Sequence, residues 1–134
     1  MERHNSSSLE VAKFLETHPK IIRVSHPLLE SSLYRPLAST QHGGRHSGMI
    51  AFYLKGGKEE AVKFLDLIRI VKRAASLGGT HSLACHPCSL THTMLTEAEK
   101  EASGVTENLI RLSVGLENVS DLIADLSQAL EGIL

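Results

Sequence analysis

An α+β domain, with helices packed on one face of a small, mostly antiparallel sheet, is the fold class this chain predicts. Three observations point to it. Residues 48–55 (GMIAFYLK) and the stretch 109–117 (LIRLSVGLE) carry the branched, aromatic and alternating composition of strands. Apolar residues three and four apart mark helical stripes on either side of them. The elements interleave as helix–strand, strand–helix, strand, helix, strand–helix, and a single sheet with helices on one side is the most economical way to bury them. The second sheet face must then be polar or covered by something, so the domain reads as one that packs on another.

Taken in order, Ser8 is suited to cap a helix over residues 9–18, whose stripe is Leu9, Val11, Ala12 and Leu15. Pro19 ends it, and residues 20–25 (KIIRVS) read as a strand up to the His26–Pro27 break. Residues 28–47 hold few apolar side chains, with Pro36, Gly43 and Gly44 among them, and are expected to be mostly irregular. After the strand at 48–55, Gly56 and Gly57 turn the chain into a helix over 58–67 that buries Ala61, Phe64, Leu65 and Ile68. Residues 68–75 fit either a continued helix or a strand. The SLGG turn at 76–79 interrupts regular structure, and 82–85 fits a short edge strand. Thr96 with Glu99 three residues later forms a capping box for a helix that Gly104 stops. Beyond the strand around Arg111, Ser120 and Asp121 cap a last helix to about Leu130, with Leu122, Ile123, Leu126, Ala129 and Leu130 as its stripe.

At 134 residues the chain fits a single domain spanning 1–134. Its 14 Lys and Arg nearly balance 15 Asp and Glu, which argues against a nucleic-acid footprint or a polybasic membrane anchor. No apolar run nears the roughly 20 residues needed to cross a bilayer, and MERHNSSS lacks the apolar core of a signal peptide. With two cysteines and no such signal, a reducing, cytoplasmic setting is expected.

Two constellations could carry chemistry. His81, Cys85, Cys88 and His92 have the ligand types of a tetrahedral zinc site, but they crowd into one short stretch, and there is no second cysteine pair. A redox role for Cys85 and Cys88 would need a thiol at a helix N-terminus, and no helical pattern follows Pro87. No metal site is therefore expected, and the cysteines read as small, partly buried residues. No nucleophile–base–orienter set stands out, and none of the glycine pairs matches a phosphate loop. The second constellation is LIRLSVGLE. Ile110, Leu112 and Val114 share one strand face, with Arg111 and Ser113 on the other. An arginine so placed suits either a structural pair with a nearby carboxylate or the bidentate grip of a bound carboxylate or phosphate.

Three segments together resemble one family: HSGMIAFYLKGG (46–57), AASLGGTHSLACHPCSLTH (74–92) and GVTENLIRLSVGLENVSDLIADLSQAL (104–130). They resemble the C-terminal domain of the pyridoxal-phosphate enzymes of cysteine and methionine metabolism, which include methionine and cystathionine γ-lyases. The opening MERHNSSSLEVAKFLETHPKI is similar to the start of that domain, so the resemblance covers nearly the whole chain. It implies the small domain of a fold-type I enzyme, in which the arginine matching Arg111 binds the substrate α-carboxylate. Ser76 and Leu77 match positions beside that carboxylate, and Thr91 and Ala75 match supporting positions. The carboxylate is a fixed charge by which such a site can orient an amino acid whose nitrogen is bound to the cofactor.

The departures from the pattern are informative. Ala75 stands where cystathionine γ-lyases often have Glu, which leans toward the methionine type. His81 replaces a common acidic residue, and Cys88 and Leu90 alter the usual HPASMTH run. In the resemblance, the lysine that carries pyridoxal 5′-phosphate belongs to a large N-terminal domain, and none of the seven lysines here sits in the matching Ser-x-Thr-Lys-Tyr motif. The resemblance thus implies a chain without catalytic residues that does not hold the cofactor covalently and is inactive alone. Its partners would be a sulfur amino acid and the large domain or further copies in a dimer or tetramer. A non-catalytic interaction module descended from the same domain is the alternative.

Overall fold

The computed structural model describes residues 1–133. It contains helices α1 (Glu2–Thr17), α2 (Arg35–Gln41), α3 (Lys58–Leu67), α4 (Pro87–Leu90), α5 (Glu97–Ala102) and α6 (Val119–Gly132). The strands are β1 (Ile21–Ser25), β2 (Met49–Leu54), β3 (Lys72–Arg73), β4 (Leu83–Cys85) and β5 (Leu109–Ser113). They form one five-stranded sheet in the order β1-β2-β5-β4-β3. Only the β3–β4 pair is parallel. The expected α+β class and mostly antiparallel sheet are both present.

One sheet face carries the main core. Ile50, Phe52 and Leu54 of β2, Ile110 and Leu112 of β5 and Ala84 of β4 pack against α1, α3 and α6. The last helix buries Leu122, Leu126, Ala129 and Leu130, and Phe52 meets Phe64 of α3 edge to face, with ring centroids 5.6 Å apart. The C-terminal carbonyls of α6 are taken by Lys20, whose Nζ donates to Leu130 O at 2.9 Å and Glu131 O at 3.1 Å.

Several boundaries differ from the sequence reading. Ser8 is not a cap but a buried mid-helix residue, because α1 starts at Glu2. Its hydroxyl lies 3.1 Å from Asn5 O, 3.0 Å from Ser47 O and 3.3 Å from His26 Nε2. The 28–47 stretch contains α2, entered through Pro36 in its first turn, where a missing N–H costs nothing. Pro87 likewise opens the single turn α4, contrary to the expectation that no helix follows it. The cap of α6 is Asn118, whose side chain accepts from Ser120 N at 2.9 Å.

The ambiguity at 68–75 is decided by Asp125 of α6. Its carboxylate accepts from the amides of Arg69, Ile70 and Val71 at 2.8, 2.8 and 2.9 Å. An α-helix continuing through 69–71 would spend those amides on its own carbonyls. With them held by Asp125, the chain leaves α3 in an extended form and enters β3. Since β3 takes the sheet edge, β4 lies inside the sheet rather than at its rim.

Candidate functional site

The second sheet face has two regions. Around Leu109 a small cluster of Cys88 and Val105, with Ala51 and Tyr53 packed against it, covers the sheet beneath α4. Further along β5 the alternation brings Arg111 to the same face, opposite Ala51 on β2 and Cys85 on β4. Arg111 is half-buried. Its Nη2 donates to the carbonyl of Ala75 and, at 3.4 Å, to that of Ser76. Among the described residues no hydrogen bond reaches its Nε or Nη1, and no carboxylate pairs with it. Three of the five donors of the guanidinium fork therefore have no intramolecular partner there.

The bend that supplies those carbonyls is pinned at several points. Gly78 N donates to Ser113 Oγ at 2.8 Å. His4 of α1 reaches across with its Nε2 3.1 Å from Gly79 O, and Leu116 N donates to Thr80 O at 2.8 Å. Glu117 accepts from Ser82 N at 2.7 Å and from the Ser82 hydroxyl at 2.8 Å, and that hydroxyl also accepts from Gly115 N. Burial pushes the Glu117 carboxyl up, but the Ser82 and Glu117 amides, the Ser82 hydroxyl and the His81 charge outweigh it, so it lies below the usual carboxylate range. Gly115 permits this approach: a Cβ there would sit 2.6 Å from the His81 carbonyl carbon.

The structure thus brings Arg111, Ala75 and Ser76 together, with Leu77 exposed on the same bend. Thr91 is not joined to them by hydrogen bonds. Its hydroxyl lies 3.4 Å from Pro87 O and 2.8 Å from His92 Nδ1, within the turn that ends α4. Ser113, Glu117, Ser82 and His4 escaped the sequence reading as site residues. The period of two places Ser113 on the Arg111 face, but nothing local to the sequence shows that its hydroxyl meets an amide 35 residues away.

The four candidate zinc ligands do not converge. Cys88 Sγ points to Glu107 Oε1 at 3.1 Å, His92 bonds Thr91, and His81 lies beside Thr80. No group of three or more His, Cys, Asp or Glu among the described residues is placed to hold a metal. Burial pushes the Cys85 thiol up, and the Arg111 charge offsets only part of that. Burial and the Glu107 hydrogen bond do the same for Cys88, so both are poor thiolates.

The lysines do not form a cofactor cradle either. Lys20 is spent on α6, Lys72 on Arg69 O and Lys100 on Glu97, while Lys13, Lys55, Lys58 and Lys63 are exposed. Among the described residues, no lysine hydrogen-bonds the bend or stands beside Arg111 in the sheet. The residues present do not fit a covalently held pyridoxal phosphate.

Fold and site together define an α+β domain presenting one guanidinium, partly satisfied and free of a counter-carboxylate among the described residues, beside an exposed bend. The chain belongs to the Cys/Met metabolism PLP-dependent enzyme family, whose model matches residues 1–131. It is 47% identical over 133 residues to an L-methionine γ-lyase of Fusobacterium nucleatum subsp. polymorphum, covering 99% of this chain and 33% of that protein. It is 43% identical over 134 residues to an O-acetyl-L-homoserine sulfhydrylase of Leptospira meyeri, covering 99% of this chain and 30% of that protein. A crystal structure of a putative O-acetylhomoserine (thiol)-lyase from Campylobacter jejuni, containing N′-pyridoxyl-lysine-5′-monophosphate, superposes with a TM-score of 0.93 at 42% identity, over 97% of this chain and 31% of that one. The chain spans about a third of the length of these relatives. No helix among the described residues is long and apolar enough to cross a membrane.

Proposed function

We propose that this chain is the substrate-carboxylate domain, C-terminal in the whole enzyme, of a PLP-dependent sulfur amino acid lyase of the methionine or cystathionine γ-lyase type. Arg111 binds the α-carboxylate, Ser76 and Leu77 border it, and Ala75 and Thr91 support the pocket. The observation that carries this reading is the guanidinium fixed to the Ala75 and Ser76 carbonyls with its Nε and Nη1 donors free among the described residues. Carbonyls orient the fork without neutralising it, so a carboxylate can still accept from Nη1 or Nε and meet the full positive charge.

Pyridoxal 5′-phosphate, carried by a lysine of the large domain, supplies the electron sink for C–S cleavage in the joined enzyme. The chain by itself is inactive and does not hold the cofactor covalently, working in the cytoplasm as part of a dimer or tetramer. What its own residues contribute is the grip on the carboxylate, which removes the rotational freedom of the substrate.

The test is a titration of the ¹⁵N-labelled chain with N-(5′-phosphopyridoxyl)-L-methionine. Shifts should centre on the Ser76 and Leu77 amides and the Arg111 Nε, and vanish with Arg111→Ala or with the methyl ester of the ligand. Equal shifts with the ester would refute the assignment. Incubation with pyridoxal phosphate and borohydride should leave no stoichiometric adduct on a particular lysine. A non-catalytic interaction module is the second reading, favoured by Leu33 at 92% and Met94 at 95% exposure. It is distinguished by self-association that survives Arg111→Ala in a chain that never responds to the ligand.

A further inference from the structure

The bend over Arg111 is held differently along its length. At its start, Ala74 N donates to Ala84 O at 3.0 Å, in line with the β3–β4 pairing. From residue 79 onward it is secured by His4, by Leu116 N and by Glu117 through Ser82. Between those anchors, among the described residues, only two side chains hold residues 75–78: Arg111, through the Ala75 and Ser76 carbonyls, and Ser113, through Gly78 N. Both come from the same face of β5, two residues apart.

Ser113 is 1% exposed and sits opposite Met49 on one side and Leu83 on the other. A serine gains little by packing among such neighbours. Gly78, by contrast, is on the surface with φ +76°, a left-handed conformation that aims its N–H back at the strand. Gly78 itself is exposed, so a bend freed from Ser113 can turn this amide to water, and the fold does not need Ser113 to satisfy it. What the hydroxyl adds is a fixed depth for the bend above the sheet.

We propose that Ser113 is a positioning residue for the carboxylate clamp. By tying Gly78 to β5, it sets the Ala75 and Ser76 carbonyls where they occupy Nη2 alone and leave the Nε and Nη1 donors of Arg111 free for the carboxylate. This rests on the reading of Arg111 as the carboxylate ligand and adds the residue that sets the geometry of its grip. A bend free to rise would release the guanidinium into several rotamers, and a bend free to sink would let the carbonyls take the Nη1 donors that the carboxylate needs.

The experiment compares wild type, Ser113→Ala and Ser113→Thr as full chains, with amide exchange at Gly78, affinity for N-(5′-phosphopyridoxyl)-L-methionine and thermal midpoint as the readouts. In Ser113→Ala, exchange at Gly78 should quicken and affinity should fall, each about fivefold, as expected for one lost hydrogen bond. The midpoint should fall by no more than about 4 °C, the shift that about 1 kcal/mol produces in a domain of this length. Ser113→Thr keeps the hydroxyl and should restore both. An alanine variant with wild-type affinity, or a folded threonine variant that binds no better than it, overturns the inference and leaves the Arg111 reading standing. A wild-type chain that ignores the analogue overturns both.

Discussion

Removing the Asp125 carboxylate should be among the most costly single changes in this domain. Asp125 is 4% exposed and receives three backbone amides, from Arg69, Ile70 and Val71, at 2.8–2.9 Å, with Gln128 Nε2 at 3.1 Å. A hydrogen bond to a charged acceptor contributes about 1.5–3 kcal/mol, and a buried donor left without a partner costs about 1–3 kcal/mol. Val71 is buried, so Asp125→Ala strands its amide, whereas Arg69 and Ile70 are exposed and water recovers part of their loss. Together these give a loss of about 3–4 kcal/mol, equivalent to about 10–15 °C in Tm for a domain of this length. Asp125→Asn keeps one carbonyl oxygen but turns an NH2 toward amides that need an acceptor, and should lose about half as much. Urea unfolding followed by far-ultraviolet circular dichroism measures both, with an unchanged m-value indicating that the loss is in the native state. Exchange should also quicken through residues 69–75, because β3 and the start of the bend hang from this anchor. An alanine variant within about 0.5 kcal/mol of wild type, the range of an ordinary surface change, would refute the reasoning.

Two further outcomes follow from the same tethers. His26 is buried beside the His46 ring, and burial together with the His46 charge lowers its pKa from 6.5 to about 4. The unfolded chain therefore takes up this proton first, so stability is full above about pH 6.5, falls by on the order of 2–3 kcal/mol as the pH drops to about 4, and is flat for this group below that; an NMR midpoint for His26 near 6.5 would contradict it. Gly115→Ala places a Cβ 2.6 Å from the His81 carbonyl carbon and 2.7 Å from Glu117 Oε2, which should cost about 1–3 kcal/mol and weaken binding of the analogue by displacing residues 80–82. Gly57→Ala, where a Cβ meets nothing within 4 Å, is the steric control: it should cost about 0.5–1 kcal/mol, because alanine caps α3 poorly, and leave binding of the analogue unchanged.

What could be read in the sequence was what depends on local period. The strands β2 and β5, the helix α3 and the Thr96–Glu99 box are set by neighbours a few residues away: β2, α3 and the box lie within a residue or so of expectation, and β5 takes the first five residues of LIRLSVGLE. The helices α2 and α4 were hidden because Pro36 and Pro87 look like breaks, although proline suits a first turn. The start of α1 was hidden because Ser8 resembles a cap, whereas its hydroxyl is used across the fold on Ser47 and His26. For the site, the alternation in LIRLS put Arg111 opposite the core-facing side chains. The tethers of the bend were beyond reach, since Ser113 to Gly78 and Glu117 to Ser82 each span 35 residues and His4 to Gly79 spans 75. Asp125 had the look of a solvated helix residue for the same reason: its three partners lie more than 50 residues away.

The position of Arg111 also explains why carbonyls, rather than a carboxylate, hold it. A half-buried guanidinium lies where the effective dielectric is below that of water, so an anion arriving at its free donors is attracted more strongly than at a fully exposed arginine. Complete burial would raise the desolvation cost until only a permanent counter-ion could offset it. A resident Asp or Glu would meet that cost but would also saturate the fork and leave a substrate carboxylate to compete with a tethered one. The Ala75 and Ser76 carbonyls avoid both outcomes: they fix the plane of the guanidinium through Nη2 and leave its unit charge uncompensated among the described residues. Such a group is oriented before its ligand arrives, and its binding free energy is not spent on ordering the side chain. That is the property a domain needs if its task is to hold one end of a substrate while chemistry takes place on residues it does not itself carry.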